Sequence, residues 1–182
     1  MLRLQHSYKD RKVLGMNLAL SGNVPIAAGL SSSSTIVVAT LAAAITLNRL
    51  ELSTPQFIDM CGQGEWFVGS RGGAGDHAAI RLGQRGKIAH VGYLPFKVEK
   101  MIDAPEDYQV VIANSHIKAA KSSSAKDTFN ARIAAYNLGL ELLRQRCPQI
   151  SDKVRCLRDI VAENIGCGES DIYRMLLEIP QL

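Results

Sequence analysis

The sequence predicts a mixed fold that contains both helices and strands. The run TIVVATLAAAITLNRL, residues 35–50, is apolar nearly all round, which is typical of a helix buried on several sides. Segments 87–94, 96–102 and 108–114 are separated by glycine, proline and aspartate turn signals, and they predict successive strands. An amphipathic pattern over 128–146 predicts a second, longer helix.

Composition limits the classes of function. With 182 residues, of which 47% are hydrophobic, the chain can bury a sizeable core. Its net charge of +4 comes from scattered lysines and arginines, and only 5% of residues are aromatic. A nucleic-acid partner is therefore not expected, because it requires massed basic groups and exposed aromatic side chains. The four cysteines form no C-x-x-C pair, which favours reduced thiols and a cytoplasmic protein.

No membrane segment is expected. The start of the chain, MLRLQHSYKDRKVLGM, is charged throughout and lacks the apolar centre of a secretory signal. The longest apolar run, residues 36–47, is shorter than the ~20 residues that span a bilayer.

The first half of the chain shows a regular order of element signals. Residues 13–21 (VLGMNLALS) alternate in polarity, as in a half-buried strand, and the serine-rich loop after them is expected to lead into a helix that begins near Ser32. Thr54, as a cap, and Pro55 mark the start of another helix, which is expected to reach Val68 and to break at Gly69.

In the second half, the sequence SHIKAAKSSSAKD (residues 115–127) predicts a polar loop before the helix at 128–146. The remainder of the chain, interrupted by Gly166 and Gly168, predicts two shorter helices.

The stretch GNVPIAAGLSSSS, residues 22–34, has the properties of a phosphate-binding loop. It is poor in bulky side chains, a helix follows it, and its hydroxyls can donate to phosphate oxygens or coordinate magnesium. It is not a Walker A loop, because it has no Gly-Lys-Ser/Thr ending. The alternative is that these serines only cap a helix.

The same stretch resembles the central motif of the GHMP kinases, P-x-x-x-G-L-(G/S)-S-S, most closely in its galactokinase form. The defining positions of the motif are Pro25, Gly29, Leu30, Ser32 and Ser33. The resemblance implies that the loop binds the phosphates of ATP, through Pro25, Gly29, Leu30, Ser31, Ser32 and Ser33.

Two further segments resemble the family, in the family's order. In QGEWFVGSRGGAGDHAA, Glu65 precedes Asp76 by eleven residues, as a helix glutamate precedes the aspartate that acts on the sugar in galactokinases. The segment NSHIKAAKSSSAKDTFNARIAAY is similar to a strand end and helix start of the family. Its matching residues are Asn114, Ser115, Asn130 and Arg132.

The resemblance implies an α+β fold of the GHMP kinase type. Residues 1–104 would be part of a first domain, similar to domain 2 of ribosomal protein S5 and containing a left-handed βαβ crossover. Residues 105–182 would begin a ferredoxin-like second domain. The family's first and third motifs find no counterpart in the sequence, so we expect an incomplete fold that forms a homo-oligomer or pairs with a complementing fragment.

Glu65 and Asp76 carry the chemistry that the resemblance implies. Glu65 shares an apolar helical stripe with Ile58, Cys61 and Val68, where a carboxylate needs a partner. The family role is magnesium binding, together with Ser33; the alternative is an ion pair with a lysine or arginine. Asp76 takes the position of the catalytic base, and the alternative is a helix N-cap.

Several residues depart from the family pattern or carry no assigned role. Val37 stands where galactokinases usually have glutamate, and His77 where they usually have glutamine. His77 is predicted either to contact a sugar hydroxyl or to be a structural histidine. Lysines 118, 121 and 126 are interpreted as a solvated surface.

The function that the resemblance implies is transfer of the γ-phosphoryl group of ATP to a sugar hydroxyl, with Mg²⁺ as the metal. Because the family's first and third motifs find no counterpart in the sequence, the isolated chain is expected to be inactive. The alternative is a non-catalytic, truncated module that binds nucleotide or sugar and needs a partner fragment. A non-sugar alcohol as acceptor is disfavoured by the GLSSS form of the loop.

Overall fold

The computed structural model describes residues 2–69, 71–93, 96–116 and 123–177. The chain divides into two compact units, Met1–Lys121 and Ser122–Leu182. Helices together with a small sheet make the fold α+β in class. The division into family domains at residues 104/105 stays a prediction. No helix in the described ranges combines the length and apolar character that crossing a membrane requires.

The described part of the first unit contains four α-helices. They are α1 (Leu2–Ser7), α2 (Ser32–Leu47), α3 (Thr54–Glu65) and α4 (Gly75–Leu82). A short 3-10 helix, Trp66–Val68, extends α3. Gly69 then takes the left-handed conformation with φ 86°, which glycine adopts without strain, and this confirms the predicted break.

Helix α2 follows directly from its composition but is less enclosed than predicted. It begins at Ser32, as predicted, and buries Ser34, Val38 and Ala44. Ile36 and Leu47 on other faces remain 50% exposed. The prediction that the helix is buried on several sides is therefore wrong. The described residues cover α2 mainly along one stripe of its surface.

Helix α3 begins with a capping box rather than with Thr54 as the cap. The Ser53 side chain accepts a hydrogen bond from the backbone N–H of Gln56, and the Gln56 side chain accepts from the backbone N–H of Ser53. Thr54 is the first helical residue, followed by Pro55, whose missing N–H costs nothing in the first turn.

The core of the first unit joins α2, α3 and α4. Its buried members are Val38, Phe57, Ile58, Cys61 and Ala78. A smaller cluster of Leu4, Ala44 and Leu50 packs α1 onto α2. The two clusters hold α2 between its neighbours and thereby fix the position of its N-terminal turn.

The described sheet is a two-stranded hairpin. Strand β1 (Lys87–Gly92) pairs antiparallel with β2 (Lys97–Asp103), from Lys87 opposite Asp103 to Gly92 opposite Lys97, with an irregularity between His90 and Val91. These bounds confirm the predicted strands at 87–94 and 96–102.

Two predicted strands do not form. Residues 13–21 and 108–114 are irregular and unpaired in the structure. Val110 is 93% exposed, whereas a buried strand was expected. A strand needs a partner for its backbone groups, and the described hairpin pairs only with itself. Leu14 instead uses the Asn48 side chain, which accepts from its N–H at 2.6 Å and donates to its carbonyl at 3.3 Å.

The described part of the second unit is helical. Its helices are α5 (Ser123–Arg146), α6 (Ala162–Ile165) and α7 (Glu169–Leu177), with 3-10 helices at Pro148–Ile150 and Leu157–Asp159. Helix α5 begins five residues before the predicted start. The core consists of Leu140, Leu143, Ile150, Val154 and Ile165. The two shorter helices are confirmed, and Gly166 ends α6 with φ 76°.

Candidate active site

The serine loop enters α2 through a strained backbone. Ala27 and Ser31 have positive φ values of 59° and 56°, and Gly29 between them has φ 73°. The left-handed conformation is unfavourable for residues with a Cβ atom, and such strain is often found at functional sites. Residues 25–30 are exposed along this path, so their backbone is accessible to a ligand.

The first turn of α2 leaves its backbone donors available. Ser31 is the N-cap residue, yet its side chain accepts no capping hydrogen bond. The first helical hydrogen bond runs from Thr35 N to Ser31 O at 3.0 Å. The N–H groups of Ser32, Ser33 and Ser34 therefore lack a partner within the helix and lie at the positive end of its dipole. The reading of the serines as simple caps does not hold for this turn.

Glu65, at the end of α3, is brought against this turn. Its Oε1 atom accepts a 2.9 Å hydrogen bond from the Oγ of Ser34. The same atom lies 3.4 Å from Nε2 of His77, and the Glu65 side chain is 17% exposed. The alternative of an ion pair with lysine or arginine is not what forms, because the partners of the carboxylate are a hydroxyl and an imidazole.

Ser34 was missed as a site residue by the sequence reasoning, which named its neighbour Ser33. The signal was its spacing: Ser34 precedes Val38 by one helical turn, and both side chains are buried. Ser33 is exposed. Its role with Glu65 as a magnesium ligand stays a prediction.

The donor set is compatible with magnesium. No described residue hydrogen-bonds the Oε2 atom of Glu65, so one carboxylate oxygen is left for a cation. Mg²⁺ is commonly held by one or two carboxylates, with phosphate oxygens and water completing the octahedron. Within the described ranges there is no group of three or more histidine, cysteine or acidic residues that would form a cage without a phosphate.

Cys61 lies in the same core but is an unsuitable ligand. Burial, together with the nearby Glu65 carboxylate, raises the pKa of its thiol to about 12, although Arg81 acts in the opposite direction. A thiol that stays protonated at neutral pH neither binds metal well nor reacts readily.

Asp76 lies in the first turn of α4 and is exposed. The N-cap residue is Ala74, and no side chain caps the helix, so the alternative reading of Asp76 as the cap is wrong. An added Cβ at Gly62 would lie 3.0 Å from that of Ala74. Glycine at this position therefore lets the loop before Asp76 approach α3 closely.

A cavity of about 830 Å³ lies beside this loop. It is lined by Pro55, Gln56, Ile58, Asp59, Gly62, Gln63, Trp66, Gly72, Gly73, Ala74, Gly75, Tyr93 and Phe96. This volume lies within the ~300–1,000 Å³ range of small-molecule sites. The serine loop, Glu65 and Asp76 are not among its lining residues, so this cavity does not bring the predicted site residues together.

His77 follows Asp76 and turns into the core, where it is 1% exposed. Of the two predicted roles, the structural one agrees with this burial, and a direct contact with a sugar hydroxyl does not.

The matching residues of the third segment that resembles the family lie in both units. Asn114 and Ser115 lie in the first, where Asn114 Oδ1 accepts from the N–H of His116 at 2.8 Å. Asn130 and Arg132 lie on α5 in the second. Lysines 118 and 121 are outside the described residues.

Comparisons with known proteins agree with the motifs. Residues 1–84 match the family model of the GHMP kinases N terminal domain. A galactokinase of Dictyostelium discoideum is 30% identical over 152 residues, which are 84% of this chain and 30% of that protein. A galactokinase of Mannheimia succiniciproducens is 35% identical over 162 residues, 87% of this chain and 38% of that protein.

A galactokinase of Haemophilus influenzae strain PittGG is 29% identical over 173 residues, 93% of this chain and 41% of that protein. The chain thus spans between 30% and 41% of the length of these three relatives. The resemblance seen in the motifs is confirmed: residues 1–84 match the GHMP kinase N-terminal domain, and the chain is galactokinase-like over most of its length.

Proposed function

We propose that this chain carries the phosphate-binding, metal-binding and proton-accepting residues of a sugar kinase, which transfers the γ-phosphoryl group of ATP to a sugar hydroxyl. The single observation that carries the proposal is the 2.9 Å hydrogen bond between Ser34 and Glu65. It brings a carboxylate to the helix terminus where phosphates would bind. Galactokinases among the relatives support a sugar as the acceptor.

The serine loop holds the phosphates. Gly29 and Leu30 bring backbone close to the phosphate oxygens, Pro25 shapes the entry to the loop, and the N–H groups of Ser31, Ser32 and Ser33 donate to those oxygens. The helix dipole adds a positive field at the same place. These contacts position the γ-phosphoryl group, and positioning together with charge neutralisation supplies most of the catalysis in phosphoryl transfer.

Ser33 and Glu65 hold Mg²⁺ in this proposal. When bound, the ion neutralises charge on the β- and γ-phosphates. The chain contributes one carboxylate oxygen and one hydroxyl, and ATP and water provide the other ligands.

Asp76 acts on the acceptor. Its carboxylate accepts the proton of the sugar hydroxyl while the oxygen of that hydroxyl forms a bond to the γ-phosphorus and the bond to ADP breaks. The exposure of Asp76 at the start of α4 is compatible with this role, since an acceptor from solution can reach it.

The finer architecture belongs to the same proposal. Residues 1–104 form part of the first GHMP domain, with an S5-like topology, and residues 105–182 begin the ferredoxin-like second domain.

A second candidate is a non-catalytic module that binds nucleotide or sugar beside a partner fragment. The exposed side chains of Tyr108, Val110, Val111 and Ile112 favour it, at 71% to 93% exposure. Apolar side chains in such a run are usually covered in the working state of a protein.

The experiment that separates the candidates has two parts. Calorimetric titration of the 182-residue chain with ATP and Mg²⁺ measures nucleotide binding, and Gly29→Val, which adds a side chain at a positive φ, should weaken it. Radiolabelled γ-phosphate transfer to galactose and a panel of other sugars then measures turnover. Binding of ATP with transfer supports the kinase, and binding of ATP without transfer supports the module. Absence of ATP binding contradicts the kinase and the nucleotide-binding form of the module.

A further inference from the structure

His77 is a buried polar side chain that lacks an ordinary hydrogen-bond partner. It is 1% exposed, and neither ring nitrogen makes a hydrogen bond within the described part of the chain. Burying a polar group without compensation costs about 1–3 kcal/mol. The contact that can offset this cost is the one with Glu65, whose Oε1 lies 3.4 Å from the Nε2 of His77.

Three helices bring their side chains to this single oxygen. Ser34 comes from the first turn of α2, Glu65 ends α3, and His77 lies in the first turn of α4. Ser34 and His77 are both buried, at 3% and 1% exposure, whereas Glu65 is partly exposed at 17%. The Oε1 atom is therefore on the buried side of the carboxylate.

We infer that Ser34 and His77 are positioning residues that hold Oε1 of Glu65 in the core, so that Oε2 is presented to the divalent cation. The inference rests on the proposed function, in which Glu65 is a metal ligand. It adds two residues that neither the motif nor the family model assigns, and one of them, His77, departs from the residue that galactokinases usually carry at that position.

The physical reason is the cost of ordering a flexible ligand. A free glutamate side chain loses rotamer freedom worth up to about 2 kcal/mol when a metal fixes it. The two contacts on Oε1 fix the rotamer of the Glu65 side chain before the metal binds. Partners that orient a metal ligand in this way typically change metal affinity by about 10–100-fold when they are removed.

The test is a titration of the 182-residue chain with Mn²⁺ in the presence of ADP. The electron paramagnetic resonance signal of the free ion measures how much Mn²⁺ is bound at each step. Ser34→Ala and His77→Ala should each weaken Mn²⁺ binding by at least about tenfold. His77→Gln should recover most of the affinity, because the glutamine carboxamide can also contact Glu65 as a donor.

Cys61→Ala is the matched control. Cys61 lies in the same core at 1% exposure, but it does not hydrogen-bond the carboxylate. It should lower the melting temperature about as much as His77→Ala while leaving Mn²⁺ affinity unchanged. Ser34→Ala, which removes one oxygen atom, keeps the test valid if His77→Ala does not fold.

Glu65→Ala separates this inference from the proposed function. If Glu65→Ala leaves Mn²⁺ affinity unchanged, Glu65 is not a ligand and both are overturned. If Glu65→Ala weakens binding and the Ser34 and His77 variants do not, the positioning role is wrong and the metal role stands. Equal weakening by Cys61→Ala and His77→Ala would also overturn the inference, since loss of packing alone would explain it.

Discussion

Replacing Phe57 with alanine should destabilise the first unit by about 4 kcal/mol. Phe57 is 1% exposed in the core that joins α2, α3 and α4. Its ring buries roughly 200 Å², which at about 25 cal/mol per Å² sets an upper bound near 5 kcal/mol. Measured losses for phenylalanine-to-alanine changes in cores are about 3–5 kcal/mol. The Arg81 guanidinium, 4.8 Å from the ring centroid, adds about 0.5–1 kcal/mol to the expected loss.

The chain contains its own probe for this measurement. Trp66 is its single tryptophan, and it directly follows α3. Urea unfolding monitored by Trp66 fluorescence therefore reports on the unit that contains Phe57. The matched control is Phe67→Ala, the same chemical change ten residues later, where the side chain is 65% exposed. It should change the free energy of unfolding by less than about 0.5 kcal/mol.

A loss below about 1 kcal/mol for Phe57→Ala would refute this reasoning, because it would mean that the core does not depend on the ring. Equal losses for the two variants would also refute it, since exposure would then not determine the cost. The slope of the unfolding free energy against urea should be the same in all three proteins.

The remaining predictions concern the site and its supports. In a version that also carries the family's first and third motifs, Asp76→Asn should lower phosphoryl transfer by about 10²–10⁴-fold with little change in ATP affinity, measured by steady-state kinetics and calorimetry, and unchanged turnover would contradict a role as base. Ser53→Ala should destabilise α3 by about 0.5–2 kcal/mol in urea unfolding, because it removes the capping box. For Cys61, the folded pKa lies above the usual 9.0, at about 12, so its contribution to stability is complete below pH 9 and is lost as the pH rises toward 12. Melting temperatures between pH 8 and 11 should therefore fall more steeply for the wild type than for Cys61→Ala; parallel curves would exclude this linkage.

Local signals explain which elements the sequence could predict. Helices α2 and α3 were found within two or three residues of their ends, because apolar spacing, proline and glycine act over a few residues. The hairpin β1–β2 was found for the same reason, since its two strands are adjacent in the chain. The missing strands at 13–21 and 108–114 show the limit. Alternating polarity marks a segment that can pair, but whether a partner strand is present is not a local property.

The sequence likewise predicts only part of the candidate site. The motif resemblance identified the serine loop, Glu65 and Asp76, which are recognised by order and spacing along the chain. It gave no information about the contact between Ser34 and His77 through Glu65, which depends on how three helices pack. The burial of His77 likewise follows from packing, because one histidine beside an aspartate carries no signal that says which way it turns.

The pairing of Leu14 with Asn48 has a consequence for the length of the serine loop. Asn48 follows the last residue of α2, so the chain is held at one end of that helix and must reach Ser32 at the other. The distance is about 24 Å for a helix of 16 residues. The intervening residues, 15–31, could reach about 58 Å if fully extended.

The loop is therefore more than twice as long as its span requires, and the excess can bulge outward around a phosphate group. Ordering that excess costs about 1–2 kcal/mol for each residue that becomes fixed. In the proposed function, nucleotide affinity would therefore depend on the length of the loop as well as on its contacts. Shortening the segment between Gly15 and Asn23, away from the proposed phosphate-binding residues, would then tighten nucleotide binding.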